Sequence, residues 1–227
     1  MDQSSRFLFA RLGMTALVFA AGSVSGGDGQ QFSSAPIVFA GEQNSNPATP
    51  PNPDSVTIGV TVGQSGFTFT PSTAKILPGD TVTWTFLGSN HTVSSGVPCT
   101  VDNQYCSPSN MSCASSPTNT LNSTYSHIFN QVGASPYFCR VHCGFGMTGT
   151  VQVIMPAITT ATRATDGHFT AAGTSAANRG ATVRSTPDLL TAFGNPQSIT
   201  TDSTGVFQFD DTSVPTATAQ FYEVTFP

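Results

Sequence analysis

Short segments in which every second residue is apolar dominate the middle of this chain. The clearest are residues 56–62 and 81–86, in which large apolar residues alternate with small or polar ones. A period of two residues is that of a β-strand with one buried face, and turn sequences such as Pro78-Gly79-Asp80 separate the segments. No segment has the period of an amphipathic helix. We therefore predict an all-β sandwich over residues 55–155, with Trp84 in its core.

The composition is typical of an exported protein with many turns. Only 8% of the 227 residues are charged, against about 25% in average globular domains. The net charge of -5 argues against nucleic acid as a partner. The length leaves room for one ordinary domain and a smaller one.

The first 54 residues precede the predicted sandwich. Residues 1–26 have the pattern of a secretory signal peptide, because Arg6 and Arg11 precede a short apolar run that ends in small residues. The run is shorter than the ~20 apolar residues that a membrane span needs. We therefore expect no stable membrane insertion once the signal peptide is removed; an uncleaved N-terminal anchor is the alternative. Residues 27–54, rich in proline and asparagine, are predicted to be a disordered linker.

The chain changes composition after the predicted sandwich. Threonine and alanine dominate as far as residue 177, and strand-like patterns then recur at 181–184, 197–200, 205–209 and 219–226. We predict a small C-terminal β module over residues 160–227. Its His168 has no other cysteine or histidine near it in the sequence and is predicted to be a surface residue.

One segment near the end of the predicted sandwich carries three kinds of metal-binding side chain. Cys139, His142 and Met147 are separated by two and four residues, so that one loop can surround an ion. A cysteine and two histidines in a plane, with a weak axial methionine, form a blue-copper site. His91, which follows the strand-like segment 81–86, is the best candidate for the second histidine. These four residues predict one copper ion that alternates between Cu(I) and Cu(II).

The five cysteines support an oxidising compartment. If Cys139 binds metal, four remain, and they can form two disulfides with three possible pairings. Two disulfides favour export over the reducing interior of a cell, where five free thiols are the alternative. Residues 96–122 hold three of these cysteines and are rich in turn-forming residues. We predict a long loop there that disulfides tie down.

Residues 55–155 resemble a cupredoxin of the plastocyanin type. The motifs that carry the resemblance are Phe67-Thr-Phe-Thr-Pro-Ser-Thr, Pro78-Gly-Asp-Thr-Val-Thr-Trp84, Asn90-His-Thr-Val93 and Tyr137-Phe-Cys-Arg-Val-His142. The resemblance implies an antiparallel Greek-key sandwich with copper near one end. It implies His91, Cys139 and His142 as equatorial ligands, Met147 as the axial ligand, and a partly exposed His142 as the electron port. It further implies an electron carrier that serves larger redox partner proteins. The signal pattern and the cysteines predict that this carrier is exported, to the periplasm or out of the cell.

Cys143 departs from simple plastocyanins. Plant phytocyanins have a cysteine at this position, and similarity to them implies a disulfide between Cys143 and Cys106, which leaves Cys99 with Cys113. Cys139 and Cys143 are also spaced like the two bridging thiolates of the binuclear copper centre in cytochrome oxidase subunit two. That centre needs a histidine where Met147 stands, so a mononuclear site is favoured.

Two other classes of function are weighed against the electron carrier. Copper oxidases of related fold need further copper ions bound by His-x-His motifs, and four histidines without such a motif argue against an enzyme. An exported copper-binding or storage protein, or a surface interaction protein on a cupredoxin fold, is the alternative that the C-terminal module keeps open. His127 lies in a strand-like segment and is predicted to be structural. We expect a monomer.

Overall fold

A computed structural model describes residues 14–22, 55–164, 168–187, 190–213 and 219–226. These residues form strands with two short 3-10 helices, Cys113–Ser115 and Cys143–Phe145. No helix in these ranges is long and apolar enough to cross a membrane. The strands are β1 (Met14–Gly22), β2 (Thr57–Val62), β3 (Phe69–Thr70), β4 (Thr73–Ile76), β5 (Asp80–Phe86), β6 (Ser94–Val97), β7 (Thr100–Cys106), β8 (Thr124–Phe129), β9 (Gly133–Phe138), β10 (Thr148–Val153), β11 (Ala157–Arg163), β12 (Phe169–Thr174), β13 (Gly180–Thr186), β14 (Gly194–Thr200), β15 (Val206–Asp211) and β16 (Ala219–Phe226).

Strands β2 to β10 form the first sandwich. One sheet has the order β3-β2-β5-β8 and the other β4-β10-β9-β6-β7. The predicted all-β Greek-key sandwich is confirmed. The expectation of purely antiparallel sheets is wrong, because β2 pairs with β5, and β4 with β10, in parallel. Strands β6 and β7 also extend into residues 96–122, which the sequence patterns did not identify as strand.

Strand β5 is the centre of the first core. Its residues alternate between buried and half-buried along its whole length, and Trp84 is fully buried as predicted. The rings of Tyr125 and Tyr137 lie 5.6 and 5.3 Å from the Trp84 ring, centre to centre. Large aromatic side chains dominate the energetics of such cores. This packing fixes β5, and therefore the start of the loop that follows it.

His127 on β8 packs as a structural residue. Its ring stacks on Tyr105 at a centroid distance of 4.6 Å and meets the edge of Phe129 at 4.8 Å. Burial lowers the pKa of His127 below its ordinary value, because a protonated ring loses hydration there. The folded protein therefore favours the neutral imidazole.

Replacing His127 by phenylalanine should make the protein less sensitive to acid. The unfolded chain binds a proton at an ordinary pKa of about 6.5, whereas the folded chain binds it only at lower pH. The stability that His127 contributes is thus complete above about pH 6.5 and falls as the pH decreases below that value. Urea unfolding of both proteins at pH 7.5 and pH 5 measures the effect. If the unfolding free energy of the two proteins falls equally between pH 7.5 and pH 5, His127 is not a buried neutral histidine that contributes to the acid sensitivity.

Strands β11 to β16 form a second sandwich, together with β1. One sheet has the order β11-β12-β15 and the other β1-β16-β13-β14. Its core has its own aromatic centre, in which the rings of Phe169 and Tyr222 stack at 4.3 Å. Strands β11 and β12 lie in the region rich in threonine and alanine, where the sequence showed no clear strand pattern. Small residues give a weak apolar alternation even where they form regular strands.

Strand β1 comes from the predicted signal peptide. Met14–Gly22 pairs antiparallel with β16 along the edge of the second sandwich. The rest of residues 1–26, and the predicted linker 27–54, lie outside the described residues. Both assignments stay predictions, as do the domain boundaries. Removal of residues 1–26 would leave β16 as an edge strand.

The two sandwiches meet at a buried junction. Leu77, in the turn between β4 and β5, is fully buried and belongs to the second core, against which Ile154 also packs. The carboxylate of Asp80 accepts hydrogen bonds from the Arg179 guanidinium, with Nη2 to Oδ1 at 2.8 Å, and from the backbone N–H groups of Leu77 and Val56. Because Asp80 begins β5 and His91 follows its other end, the junction lies about 20 Å from the His91 end, at ~3.3 Å per residue.

Candidate metal centre

Three of the predicted ligands lie together at one end of the first sandwich. Nδ1 of His91 is 3.8 Å from Sγ of Cys139 and 3.2 Å from Nδ1 of His142. The third side of this triangle, from Sγ of Cys139 to Nδ1 of His142, is 3.4 Å. The point equidistant from the three atoms is about 2 Å from each, close to the length of a bond between a transition metal and these ligand atoms. The donor set therefore fits a single metal ion.

This cluster stands apart from the other histidines. Within the described part of the chain, His91, Cys139 and His142 are the only such group of histidine, cysteine, aspartate or glutamate side chains. His127 and His168 are not part of it. His168 is half-buried, just before β12 in the second sandwich.

Two glycines make room for His91. Gly63 follows β2 and Gly88 follows β5, and a Cβ at Gly63 would overlap the His91 imidazole, while one at Gly88 would lie 3.0 Å from Nε2. Gly63 also has a φ of +73°, which favours glycine. The sequence analysis missed both residues. Their one signal was a glycine within two residues of the end of each of two neighbouring strands.

The other ligand candidates share the loop between β9 and β10. Cys139 follows β9 directly, and its N–H donates to the carbonyl oxygen of Met147 at 3.0 Å. Within the loop, the N–H of His142 donates to the carbonyl oxygen of Cys139, and that of Met147 to the carbonyl oxygen of His142. The loop is thus a closed turn that carries all three side chains. Met147 is buried in the first core with Cys139; a bond from its sulfur to the metal stays a prediction.

Thr92 supports the thiol of Cys139 from the neighbouring loop. Its backbone N–H donates to Sγ at 3.4 Å, and its hydroxyl lies 3.9 Å from Sγ. The same hydroxyl accepts the N–H of Arg140 at 2.8 Å. Hydrogen bonds to a ligating sulfur tune the metal that it binds. The sequence analysis did not single out Thr92 as a site residue, since only the folded chain brings its N–H to the sulfur.

The centre is buried on one side and open on the other. His91 and Cys139 are buried, whereas His142 is partly exposed. Phe67 stacks on the His142 ring at 4.0 Å with an interplanar angle of 20°, and the exposed Phe145 lies 5.4 Å from Phe67, centre to centre. The sequence analysis treated Phe67 only as a strand residue. His142 is therefore the member of the cluster closest to solvent, with Phe67 packed against its ring.

Burial and charge prepare His91 for a metal. Burial lowers the pKa of His91, and the neighbouring His142 lowers it further. A lower pKa keeps the ring neutral at physiological pH, and the neutral imidazole is the form that binds metals.

The disulfides differ from the pairing that the phytocyanin resemblance implied. Cys99 pairs with Cys143, and Cys106 pairs with Cys113. The implied pairs were wrong because Cys99 lies in the turn between β6 and β7, and the fold brings that turn to the loop after His142. Cys139 is the one free cysteine, as the count predicted. With Cys143 in a disulfide, only one thiol remains for metal, which removes the binuclear alternative.

The first sandwich is the part of the chain that is similar to known proteins. The sequence family described as copper binding proteins of the plastocyanin/azurin family matches residues 56–154. A purple cupredoxin from Nitrosopumilus maritimus is similar in structure, with 22% identity, a TM-score of 0.34, and coverage of 42% of this chain and 98% of that one. The oxidised plastocyanin from Dryopteris crassirhizoma has 19% identity, a TM-score of 0.30, and coverage of 43% and 100%. No curated protein matches the chain.

The first sandwich is therefore a cupredoxin domain. Residues 56–154 belong to the copper-binding family that includes plastocyanin and azurin, and the cluster of two histidines and one cysteine has the donor atoms that such a domain needs. The second sandwich is an addition to it.

Proposed function

We propose that this protein carries single electrons through one type 1 copper ion. His91, Cys139 and His142 would be the equatorial ligands, and Met147 the axial one. The observation that carries this proposal is the triangle of donor atoms, with sides of 3.2, 3.4 and 3.8 Å. One thiolate and two imidazoles in a plane are the donor set of blue-copper electron-transfer sites.

The surroundings of these residues suit electron transfer. Copper bound there would supply a one-electron change between its two oxidation states. Burial of His91 and Cys139 excludes water, and the closed loop from Cys139 to Met147 holds its ligands in place. A site whose ligands move little between the two oxidation states of the metal has a low reorganisation energy for electron transfer. The same four residues leave no open position for a substrate, so we propose a carrier and not an enzyme.

His142 is the proposed port for the electron. It is the partly exposed member of the triangle, and the stacked ring of Phe67 lies against it. A redox partner that docks there would come close to the metal without displacing a ligand. The acidic net charge suits a basic partner.

We further propose that the protein is exported and acts as a monomer. Two disulfides are stable in an oxidising compartment and rare in a reducing one. The predicted signal peptide would provide the route, to the periplasm or out of the cell.

Spectroscopy of the copper-loaded protein tests the proposal. We expect one copper ion per chain, an intense absorption band at about 600 nm from the cysteine–copper bond, and reversible one-electron reduction. Metal analysis, visible absorption and a redox titration measure the three. Copper that binds without colour and passes readily to a chelator would instead support storage. Steady turnover of a phenol or of nitrite by the isolated chain would support an enzyme.

A further inference from the structure

The cysteine-rich segment, residues 94–119, supplies none of the proposed ligands but contacts His91 and the residues that follow Cys139 and His142. It contains β6, β7, the disulfide between Cys106 and Cys113, and a short 3-10 helix. A long excursion of this kind inside a compact domain is costly in conformational entropy unless it is functional or held in place. Three contacts connect this segment to the neighbourhoods of the three equatorial ligands.

The first contact is with the backbone of His91. A single antiparallel bridge joins His91 to Asn119, and the carbonyl oxygen of His91 accepts the backbone N–H of Asn119 at 2.9 Å and its side-chain Nδ2 at 3.2 Å. The same Nδ2 donates to Oγ of Ser107 at 2.6 Å, which accepts the N–H of Val93 at 2.9 Å. Asn119 is buried, so these bonds hold the His91 loop from both sides.

The other two contacts reach the neighbours of Cys139 and His142. Nη2 of Arg140, which directly follows Cys139, donates to the carbonyl oxygen of Ser116 at 2.7 Å. Cys143, which directly follows His142, is bonded covalently to Cys99. Each equatorial ligand is therefore held, directly or through the next residue, by a different part of the cysteine-rich segment.

We infer that the cysteine-rich segment is a three-point support that positions the metal ligands, and that Asn119 is its positioning residue for His91. Asn119 does not touch the metal; it acts through the backbone of His91. Groups that orient a ligand typically contribute a factor of 10 to 100 in metal affinity. The inference concerns the copper site of the proposed function and rests on it, but its effect on the metal-free protein can be measured independently.

Asn119→Ala removes both side-chain hydrogen bonds and keeps the backbone bridge. In the metal-free protein, we expect the buried N–H of Thr92, next to His91, to exchange with solvent about tenfold faster, since the local opening costs less. The backbone N–H of Trp84, in the centre of the core, exchanges only on global unfolding, so its exchange rate should change less. In the copper-loaded protein we expect affinity for copper to fall about tenfold, with a changed ratio of visible absorption bands.

Tyr125→Phe is the matched control. The Tyr125 hydroxyl donates to Oδ1 of Asn110 in the same segment, so its loss removes one side-chain hydrogen bond that does not reach His91. We expect it to leave the Thr92-to-Trp84 ratio of exchange rates, the copper affinity and the spectrum unchanged. Asn119→Asp keeps the shape of the side chain but removes the donor, and it replaces the alanine variant if that one does not fold.

The outcomes separate the two proposals. If the ratio of the Thr92 to the Trp84 exchange rate is the same in the Asn119 variants as in Tyr125→Phe, the inference that the segment positions the ligands is wrong. If Thr92 exchanges faster in the Asn119 variants but the chain binds no copper, that inference holds and the proposed electron carrier is wrong. Equal copper affinity and identical spectra in all variants of a copper-binding chain would also overturn the role of Asn119.

Discussion

Copper-loaded Cys139→Ser protein is expected to be colourless in the visible region. The intense band of a type 1 site arises from transfer of charge between a thiolate and copper, and the Cys139 sulfur is the only free thiol of the chain. A serine oxygen fits the same space but is a harder ligand that does not favour Cu(I). We expect complete loss of the band at about 600 nm and loss of reversible reduction. Absorption spectra and redox titrations of equal copper loadings measure both.

The double variant Cys106→Ser/Cys113→Ser is the control for this loss. It removes two sulfur atoms and a disulfide from the same sandwich but leaves the triangle of donor atoms complete. It should retain the band because Cys139 is intact, with no more than the changed ratio of bands that a loosened cysteine-rich segment predicts. Colour that survives in Cys139→Ser would show that another group binds the copper, and the assignment of the site to His91, Cys139 and His142 would be wrong.

The sequence was sufficient to predict those site residues whose positions follow from local spacing. Cys139, His142 and Met147 lie within nine residues of one another, and His91 follows a strand whose alternation is clear from Val82 to Phe86. The structure brings the first two and His91 together as expected. It does not test the bond from Met147.

The rest of the site depends on contacts between residues that are distant in the sequence. Gly63 and Gly88 face His91 only because β2 and β5 pair in parallel, and neither glycine differs in sequence from the glycines of ordinary turns. The N–H of Thr92 reaches Cys139 across 47 positions. Such contacts leave no periodic pattern, so propensity and spacing do not reveal them.

The disulfide pairing also depends on contacts between distant residues that the sequence does not reveal. Four cysteines allow three pairings, and the choice among them depends on which strands run through residues 96–122. Strand β7 was not apparent because its residues, Thr100–Cys106, are mostly polar and exposed. Once β6 and β7 form a hairpin, its turn carries Cys99 to the loop that contains Cys143.

Arg179→Met is expected to destabilise the protein by about 3 kcal/mol, since removal of one partner leaves the charge of the other buried. Arg179 and Asp80 are both almost fully buried at the junction, with the guanidinium 2.8 Å from the carboxylate. The N–H groups of Leu77 and Val56 still bind the carboxylate, so the loss stays at the lower end of the range for such pairs. Urea unfolding, followed by tryptophan fluorescence and by circular dichroism, measures the change.

Arg184→Met is the matched control, because Arg184 lies on β13 in the same sandwich but is only half-buried. Its effect should stay within about 0.5 kcal/mol. Since Leu77 of the cupredoxin domain is part of the second core, we expect the wild-type sandwiches to unfold in one transition and the Arg179→Met protein in two. The copper band should not change, because the junction and His91 lie at opposite ends of β5. Equal stability of the two variants would mean that the ion pair does not connect the sandwiches, and that Leu77 and its apolar neighbours hold the junction alone.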